Sequence, residues 1–187
     1  MEVYNHNPKI YLIGGKSRHG KDTFASYLKK YYEENGKKVI LSPYAKYIKF
    51  YVKEMTNWDG NDETKPRELL QQIGTNIIRQ KLNKAQMFID RQLDDIEIYS
   101  YFFDVIIIPD VRLKKEITCL KEKFPDAIVV NVFRPDFDNG LTIEQKNHIT
   151  ETDLDDFNAY DYRIINRDLA TLEEDAKKIV KENKKTS

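Results

Sequence analysis

Ile13-Gly14-Gly15-Lys16-Ser17-Arg18-His19-Gly20-Lys21-Asp22-Thr23 is the stretch that decides the fold of this chain. It follows the apolar run Lys9–Ile13 and leads into Phe24-Ala25-Ser26-Tyr27-Leu28, the start of a helical pattern. A Gly-x-x-x-x-Gly-Lys loop between a strand and a helix, the Walker A form, is built to wrap a polyphosphate. Gly15 and Gly20 let the backbone curl so that successive N–H groups turn inward. The helix that follows adds its free amino-terminal N–H groups and the positive end of its dipole. Lys21 brings a mobile cation to the β- and γ-phosphates. Asp22 stands where Ser or Thr is the commoner residue, and Thr23 follows it. Thr23 is therefore expected to bind a phosphate, and Asp22 to hold Mg²⁺ through water. Lys16, Ser17, Arg18 and His19 complete the loop through their backbone, with their side chains directed outward. The bland alternative, a glycine-rich turn with a helix cap, has to ignore the flanking strand and helix.

Outward from this loop, four more apolar runs read as buried parallel strands: Lys38–Leu41, Asp104–Ile108, Ala127–Phe133 and Tyr162–Ile165. Helical patterns lie between them, at Lys21–Asn35, Lys46–Met55, Pro66–Leu82, about Gln86–Tyr99, Leu113–Lys123, a polar stretch near Ile143–Phe157, and Leu172–Lys184. The alternation predicts an α/β fold with a five-stranded parallel sheet and helices on both faces. Ligands of such sheets sit beyond the carboxyl ends of the strands. The expected organisation is one domain over residues 1–187, with a helical substrate-binding region at about 44–100 and a lid at about 134–157. The lysine-rich end, Lys177–Ser187, is expected to fray.

Phosphoryl transfer asks the protein for positioning and charge neutralisation, so acids and arginines near the loop are the next candidates. Asp110, in Pro109-Asp110-Val111-Arg112, falls at the carboxyl end of a buried strand, where it can hold hydrated Mg²⁺ or orient an acceptor. Arg112 can pair with it or reach a substrate phosphate; an Asp capping the next helix is the plainer reading. Arg67, Gln71, Thr75 and Arg79 are spaced four apart and line one helical face, with Leu70, Ile73 and Ile77 on an adjacent apolar face. Two arginines with an amide and a hydroxyl between them suit a phosphate monoester, although a salt-bridged surface helix would read alike. Gly74 within this helix suggests close approach of a ligand or another backbone. Arg134 and Lys146, in the lid stretch, are candidate charge neutralisers, and His148 and Glu151 read as lid-to-core hydrogen bonds. Asn166, after the last strand, can meet an adenine edge.

The chain of 187 residues has 31 basic and 31 acidic residues, which argues against a nucleic-acid coat or a polybasic membrane surface. Its most apolar stretch, Tyr101–Pro109, is too short to span a bilayer. The polar start, Met1–Lys9, lacks the apolar segment of a signal peptide, and the single cysteine, Cys119, cannot form an intrachain disulfide. A cytoplasmic protein is expected, with a small-molecule partner; a homodimer is left open.

Taken together, Gly15–Thr23, Arg67-x-x-Leu70-Gln71-x-x-Gly74-Thr75-x-x-x-Arg79, Pro109-Asp110-Val111-Arg112, His148-x-x-Glu151 and Asp161-Tyr162-x-Ile164-x-Asn166 resemble, in the same order, the phage-type deoxynucleoside monophosphate kinases of the P-loop nucleoside monophosphate kinase group. The resemblance spans roughly residues 9–180. It implies a three-layer P-loop kinase fold with a monophosphate-binding helical region and a lid. ATP and Mg²⁺ would sit at Gly15–Thr23 and the deoxynucleotide at Arg67, Gln71 and Arg79. Lys21, Arg79, Arg112 and Arg134 would neutralise charge, and Asp110 would hold metal or acceptor. The Asp-x-Arg and His-x-x-Glu elements also look like animal-type phosphomevalonate kinases. Phosphomevalonate or dephospho-coenzyme A is therefore the alternative acceptor, and a non-catalytic nucleotide-binding module the alternative of another class.

Overall fold

In the computed structural model, which describes residues 4–61 and 63–184, five strands form one sheet: β1 (Lys9–Gly14), β2 (Val39–Leu41), β3 (Val105–Val111), β4 (Ile128–Phe133) and β5 (Tyr162–Ile165). All neighbours are parallel, in the order β2-β3-β1-β4-β5. β1 is central because it can be: Ile10 through Ile13 are buried on both faces, as a strand covered by helices on each side requires. Its alternate residues Tyr11 and Ile13 join Phe24, Ala25 and Leu28 of helix α1 (Lys21–Glu33) in one cluster. Leu172, Ala176, Ile179 and Val180 of the last helix, α8 (Leu169–Lys184), complete it. That packing fixes where α1 begins, and therefore where the loop after β1 must turn.

The helix α8 starts three residues earlier than the sequence pattern suggested and stays helical through Lys184, so most of the lysine-rich end does not fray. Lys185–Ser187, like Met1–Val3, lie outside the described residues. β3 runs on past Ile108 through Pro109 and Asp110 to Val111. A proline in a central strand removes a ladder hydrogen bond and is tolerated at a bulge; the β1–β3 register shifts at this place, between Leu12 and Gly14. The bulge brings Val111 opposite Gly14, one residue before the loop. The stretch between β4 and β5 holds only two single turns of helix, α6 (Ile143–Lys146) and α7 (Ile149–Thr152), where a longer helical pattern was expected. The remaining helix between strands, α5 (Lys114–Lys123), joins β3 to β4.

The chain divides into two units, one made of residues 1–43 and 95–187 and carrying the sheet, the other of residues 44–94. The second unit is helical: α2 (Lys46–Thr56), α3 (Arg67–Gln71), a π-helix at Gln72–Lys81, and the first part of α4 (Met87–Tyr99). The π-helix corrects the expectation of one α-helix over Pro66–Leu82. Its i→i+5 winding buries Ile73 and Ile78, five apart, and leaves Ile77 41% exposed. The apolar face is accordingly not Leu70, Ile73 and Ile77. Gly74 is accounted for inside this unit. A Cβ there would come 2.8 Å from Cδ1 of Ile48 on α2, so the close approach is made by a side chain.

Candidate functional site

The loop between β1 and α1 holds its backbone in conformations that its residue types permit. Gly15 has φ +140° and Gly20 has φ +98°, and a Cβ at either would run into the chain, against the Val132 carbonyl and the Asn166 carboxamide respectively. Arg18 adds a left-handed residue, with φ +61°. Three side chains then fix the peptide planes. Gly15 O accepts from Arg112 Nη1 at 3.2 Å, Lys16 O from Lys21 Nζ at 2.7 Å, and His19 O from the buried Asn166 Nδ2 at 2.9 Å. A trans peptide sends its carbonyl and the next N–H in opposite directions. Anchoring His19 O outward on Asn166 therefore turns the Gly20 N–H inward, toward the first turn of α1. Gly20 is the N-cap of that helix and no side chain caps it, so its first N–H groups are available to an anion.

Lys21 lies under this loop, 4% exposed. Burial, and next the positive charge of Arg112, push its ammonium down to about 7, against the opposite pull of Asp22, Glu151 and Asp110. A buried ammonium held by a backbone carbonyl and flanked by an arginine is a site short of negative charge. A polyphosphate supplies it, so the residues present fit that ligand. Asp22 is exposed on the first turn of α1 and Asp110 half-buried at the end of β3, with Thr23 between the exposed and buried faces of the helix. Among the described residues no group of three or more His, Cys, Asp or Glu side chains is placed to hold a metal ion by itself; Mg²⁺ commonly relies on one or two carboxylates plus phosphates, and Asp22 and Asp110 are carboxylates near enough to Lys21 to pull its pKa up.

The outer rim of the loop is tied to the stretch between β4 and β5, one residue after another. Lys16 Nζ pairs with Asp155 at 2.9 Å, the Ser17 N–H donates to Glu151 Oε2 at 2.8 Å, Arg18 Nη1 donates to Asn139 O at 2.9 Å, and His19 Nδ1 accepts the Arg134 N–H at 3.0 Å. His19 is thus a neutral acceptor. Its ring lies beside Phe133 and Phe137, and burial, then Lys21, hold its pKa below the usual histidine value. Its side chain does point away from the cradle, as read from the sequence. Arg134 has its guanidinium 4.0 Å over the Phe137 ring, and Lys146 pairs with Asp138 at 2.8 Å. Arg112 is held by Gly15 O, Thr150 O and Glu151, and its own N–H by the buried Glu116.

His148 caps α7, accepting the Thr150 N–H, in place of the expected bond to the core; Glu151 does reach the core. Asn166, expected at an adenine edge, has its amide on His19 O. Sequence reasoning missed Glu116, whose position three residues into α5 is a capping signal. It also missed Asp155 and Asn139, for which the sequence carries no signal. A cavity of about 500 Å³ borders the loop's outer edge at Gly15 and Lys16, with Val132, Leu154 and Phe157 among its walls; Gly20, Lys21 and Thr23 do not line it.

In the helical unit, Arg67 is exposed, Gln71 half-buried and Thr75 buried. Arg79 folds back so that Nη1 donates to Gly74 O at 3.1 Å and the guanidinium lies 5.3 Å over the Phe88 ring.

The sequence pattern of the family described as deoxynucleotide monophosphate kinase matches residues 34–179. The chain belongs to the deoxynucleotide monophosphate kinase family. The matched span begins after the glycine loop, so the loop geometry and the family are independent observations of one kinase-like phosphotransferase. Among solved structures, this family member is similar in fold to APS kinase from Mycobacterium tuberculosis. The complex of that enzyme with AMPPNP and APS superposes with a TM-score of 0.54 at 11% identity, covering 93% of this chain and 96% of that one. A cysteine-to-alanine mutant of the same enzyme gives 0.52 at 12%, covering 93% and 95%. These likenesses show a three-layer P-loop kinase fold. Among curated proteins none matches the chain. Among the described residues, no helix is long and apolar enough to cross a membrane.

Proposed function

We propose that this protein transfers the γ-phosphoryl group of ATP to a deoxynucleoside monophosphate, in line and without a phosphoenzyme. The observation that carries this reading is Lys21, buried under a glycine loop whose Gly15, Lys16 and His19 carbonyls are each held by a side chain, in a chain whose residues 34–179 match the kinase family. Lys21 Nζ exchanges the Lys16 carbonyl for the β- and γ-phosphates, and the N–H groups of Gly20, Lys21 and Asp22 take the phosphate oxygens. Thr23 binds a phosphate through its hydroxyl. Asp22 and Asp110 would hold Mg²⁺ through water, where the ion neutralises phosphate charge. Arg112 and Arg134 add positive charge beside the loop, Arg134 after leaving Phe137. Asn166 serves the nucleotide by bracing the loop at His19. In the helical unit Arg67, Gln71, Thr75 and Arg79 form the acceptor site, and residues 134–157 act as the lid that excludes water. The reducing cytoplasm is the proposed compartment, in keeping with a single cysteine, Cys119, in the sequence.

The test is an ATP-consumption screen over all nucleoside and deoxynucleoside monophosphates, with phosphomevalonate, dephospho-coenzyme A and APS as contrasting acceptors. Deoxynucleotide-dependent ADP release is expected. A protein that takes up no Mg·ATP in calorimetry is not a kinase of any acceptor, whereas ADP release with a contrasting acceptor alone overturns only the choice of acceptor. Arg79→Ala is expected to raise the acceptor KM or lower kcat while ATP affinity holds; loss of ATP binding would put Arg79 at the other substrate.

A further inference from the structure

The Glu151 carboxylate is in contact with the backbone of the glycine loop. Its side chain is 8% exposed, and both oxygens are occupied: Oε2 accepts the Ser17 N–H at 2.8 Å and Oε1 accepts Arg112 Nη1 at 2.7 Å. Both are charge-assisted contacts, and the Arg112 bond lies in the short range typical of them. Arg112 hands the restraint on, since the same Nη1 donates to Gly15 O. One carboxylate thus holds the cradle at two points, the Ser17 amide directly and the Gly15 carbonyl through Arg112. Lys16 O and Ser17 N belong to one peptide, so Glu151 holds its N–H end while Lys21 Nζ takes its carbonyl end. Glu151 itself is set by α7, the single turn capped by His148.

We propose that Glu151 is a positioning residue of the phosphate cradle, fixing the shape of the loop from the crossover between β4 and β5. The inference rests on the proposed binding of Mg·ATP at Gly15–Thr23. Its sign separates it from the other roles a buried acid can have here. Ser17's N–H is taken by Glu151 and is therefore not a phosphate donor. A carboxylate this close to the cradle also repels a polyanion, so charge alone predicts that removing it tightens ATP binding. A purely structural acid predicts a loss of stability with ATP binding unchanged. Positioning predicts the reverse of the charge effect: without Glu151 the Lys16–Ser17 peptide loses its anchor once Lys21 turns from the Lys16 carbonyl to phosphate, Arg112 loses the carboxylate that holds it against Gly15 O, and affinity falls although a repulsive charge has gone.

The experiment compares wild type, Glu151→Gln, Glu151→Asp and Asp153→Asn. Asp153 is on the same crossover, but its carboxylate accepts from the Lys114 N–H at 2.7 Å. Glutamine keeps an acceptor for Ser17 and loses the charge that holds Arg112. Aspartate keeps the charge but is too short to span both partners. Mg·ATP affinity by calorimetry, kcat and acceptor KM by steady-state assay, and thermal melts are read on each. Expected are a loss of Mg·ATP affinity of about tenfold in Glu151→Gln with acceptor KM unchanged, a smaller loss in Glu151→Asp, and a lowered melting temperature with wild-type affinity in Asp153→Asn. Should Glu151→Gln not fold, Glu151→Asp carries the same comparison. Affinity equal to or tighter than wild type in the folded Glu151 variants overturns the proposal. Affinity lost equally in Asp153→Asn overturns it too, because the effect is then one of crossover stability. Wild type failing to bind Mg·ATP is a different result and removes the kinase reading itself.

Discussion

The glycine loop and the π-helix are the two places proposed for phosphate, yet they hold their cations in opposite ways. In the loop the charge is buried and the backbone is immobilised around it: Lys21 is 4% exposed, and the carbonyls of Gly15, Lys16 and His19 each accept from a side chain. In the helix the backbone satisfies itself, and Arg79 is parked on its own turn, on Gly74 O and the Phe88 ring. The first arrangement stores electrostatic tension that an anion relieves. The second keeps an arginine packed and desolvated at one edge, ready to exchange one acceptor for another. Under the proposed function the loop takes the shared nucleotide and the helix a variable acceptor, and that division calls for the difference, because a preorganised cradle resists change of ligand and a self-satisfied helix does not.

The largest effect that tests the comparison is at Lys21. Lys21→Met is expected to lower turnover by a factor on the order of 10² or more, while the unliganded protein melts no lower than wild type, because a costly buried charge has been removed. Near-normal turnover in a steady-state assay would take Lys21 out of the mechanism. The pH dependence follows with a definite sign. The folded group titrates near 7 and the unfolded lysine near 10.5, so between those values the unfolded chain binds more protons and the stability of the unliganded fold rises with pH. A polyphosphate favours the charged form, so Mg·ATP affinity is expected to fall as pH rises above about 7, with proton uptake on binding. Calorimetry in two buffers of different ionisation enthalpy measures that uptake, and Lys21→Met should abolish it.

Next in size is the winding of the helix itself. Ile78→Ala is expected to destabilise by about 2–4 kcal/mol as a buried large-to-small change, and Ile77→Ala by less than about 1 kcal/mol. Urea denaturation decides between them, and the reverse order would restore an ordinary α-helix at this place. This pair also marks where the sequence stops being legible. The loop could be read because Gly15, Gly20 and Lys21 are residue types that dictate a backbone shape and a ligand, whichever helix follows. Leu70, Ile73, Ile77 and Ile78 are four similar apolar residues compatible with either winding, and tertiary packing chose the wider one. Asp110 reads from the sequence as following a strand that ends at Ile108, yet β3 runs on through Pro109 to Val111, since a proline there is allowed by a bulge that the sequence does not announce. Glu151 reads from the sequence as a lid-to-core hydrogen bond; that its target is the Ser17 amide depends on a crossover fold with no periodic signal.

The smallest effect contrasts two glycines that the sequence presents alike. At Gly20 the backbone, with φ +98°, is one that an L side chain rarely adopts, and a Cβ would meet the Asn166 carboxamide that braces His19. Gly20→Ala is expected to cost about 1–3 kcal/mol and to weaken Mg·ATP binding in the same variant. At Gly74 the backbone is helical and needs no glycine. Alanine there gains about 1 kcal/mol of helix propensity and pushes only the far end of Ile48, whose Cδ1 would be 2.8 Å away. The two terms nearly cancel, so Gly74→Ala is expected to change stability by no more than about 1 kcal/mol, with ATP affinity untouched. The informative readout is the acceptor KM. Arg79 Nη1 would lie 3.6 Å from the new methyl, in ordinary contact, so an acceptor site built on Arg79 keeps its KM. A KM that rises with stability intact would instead mean that the substrate itself approaches the backbone at Gly74.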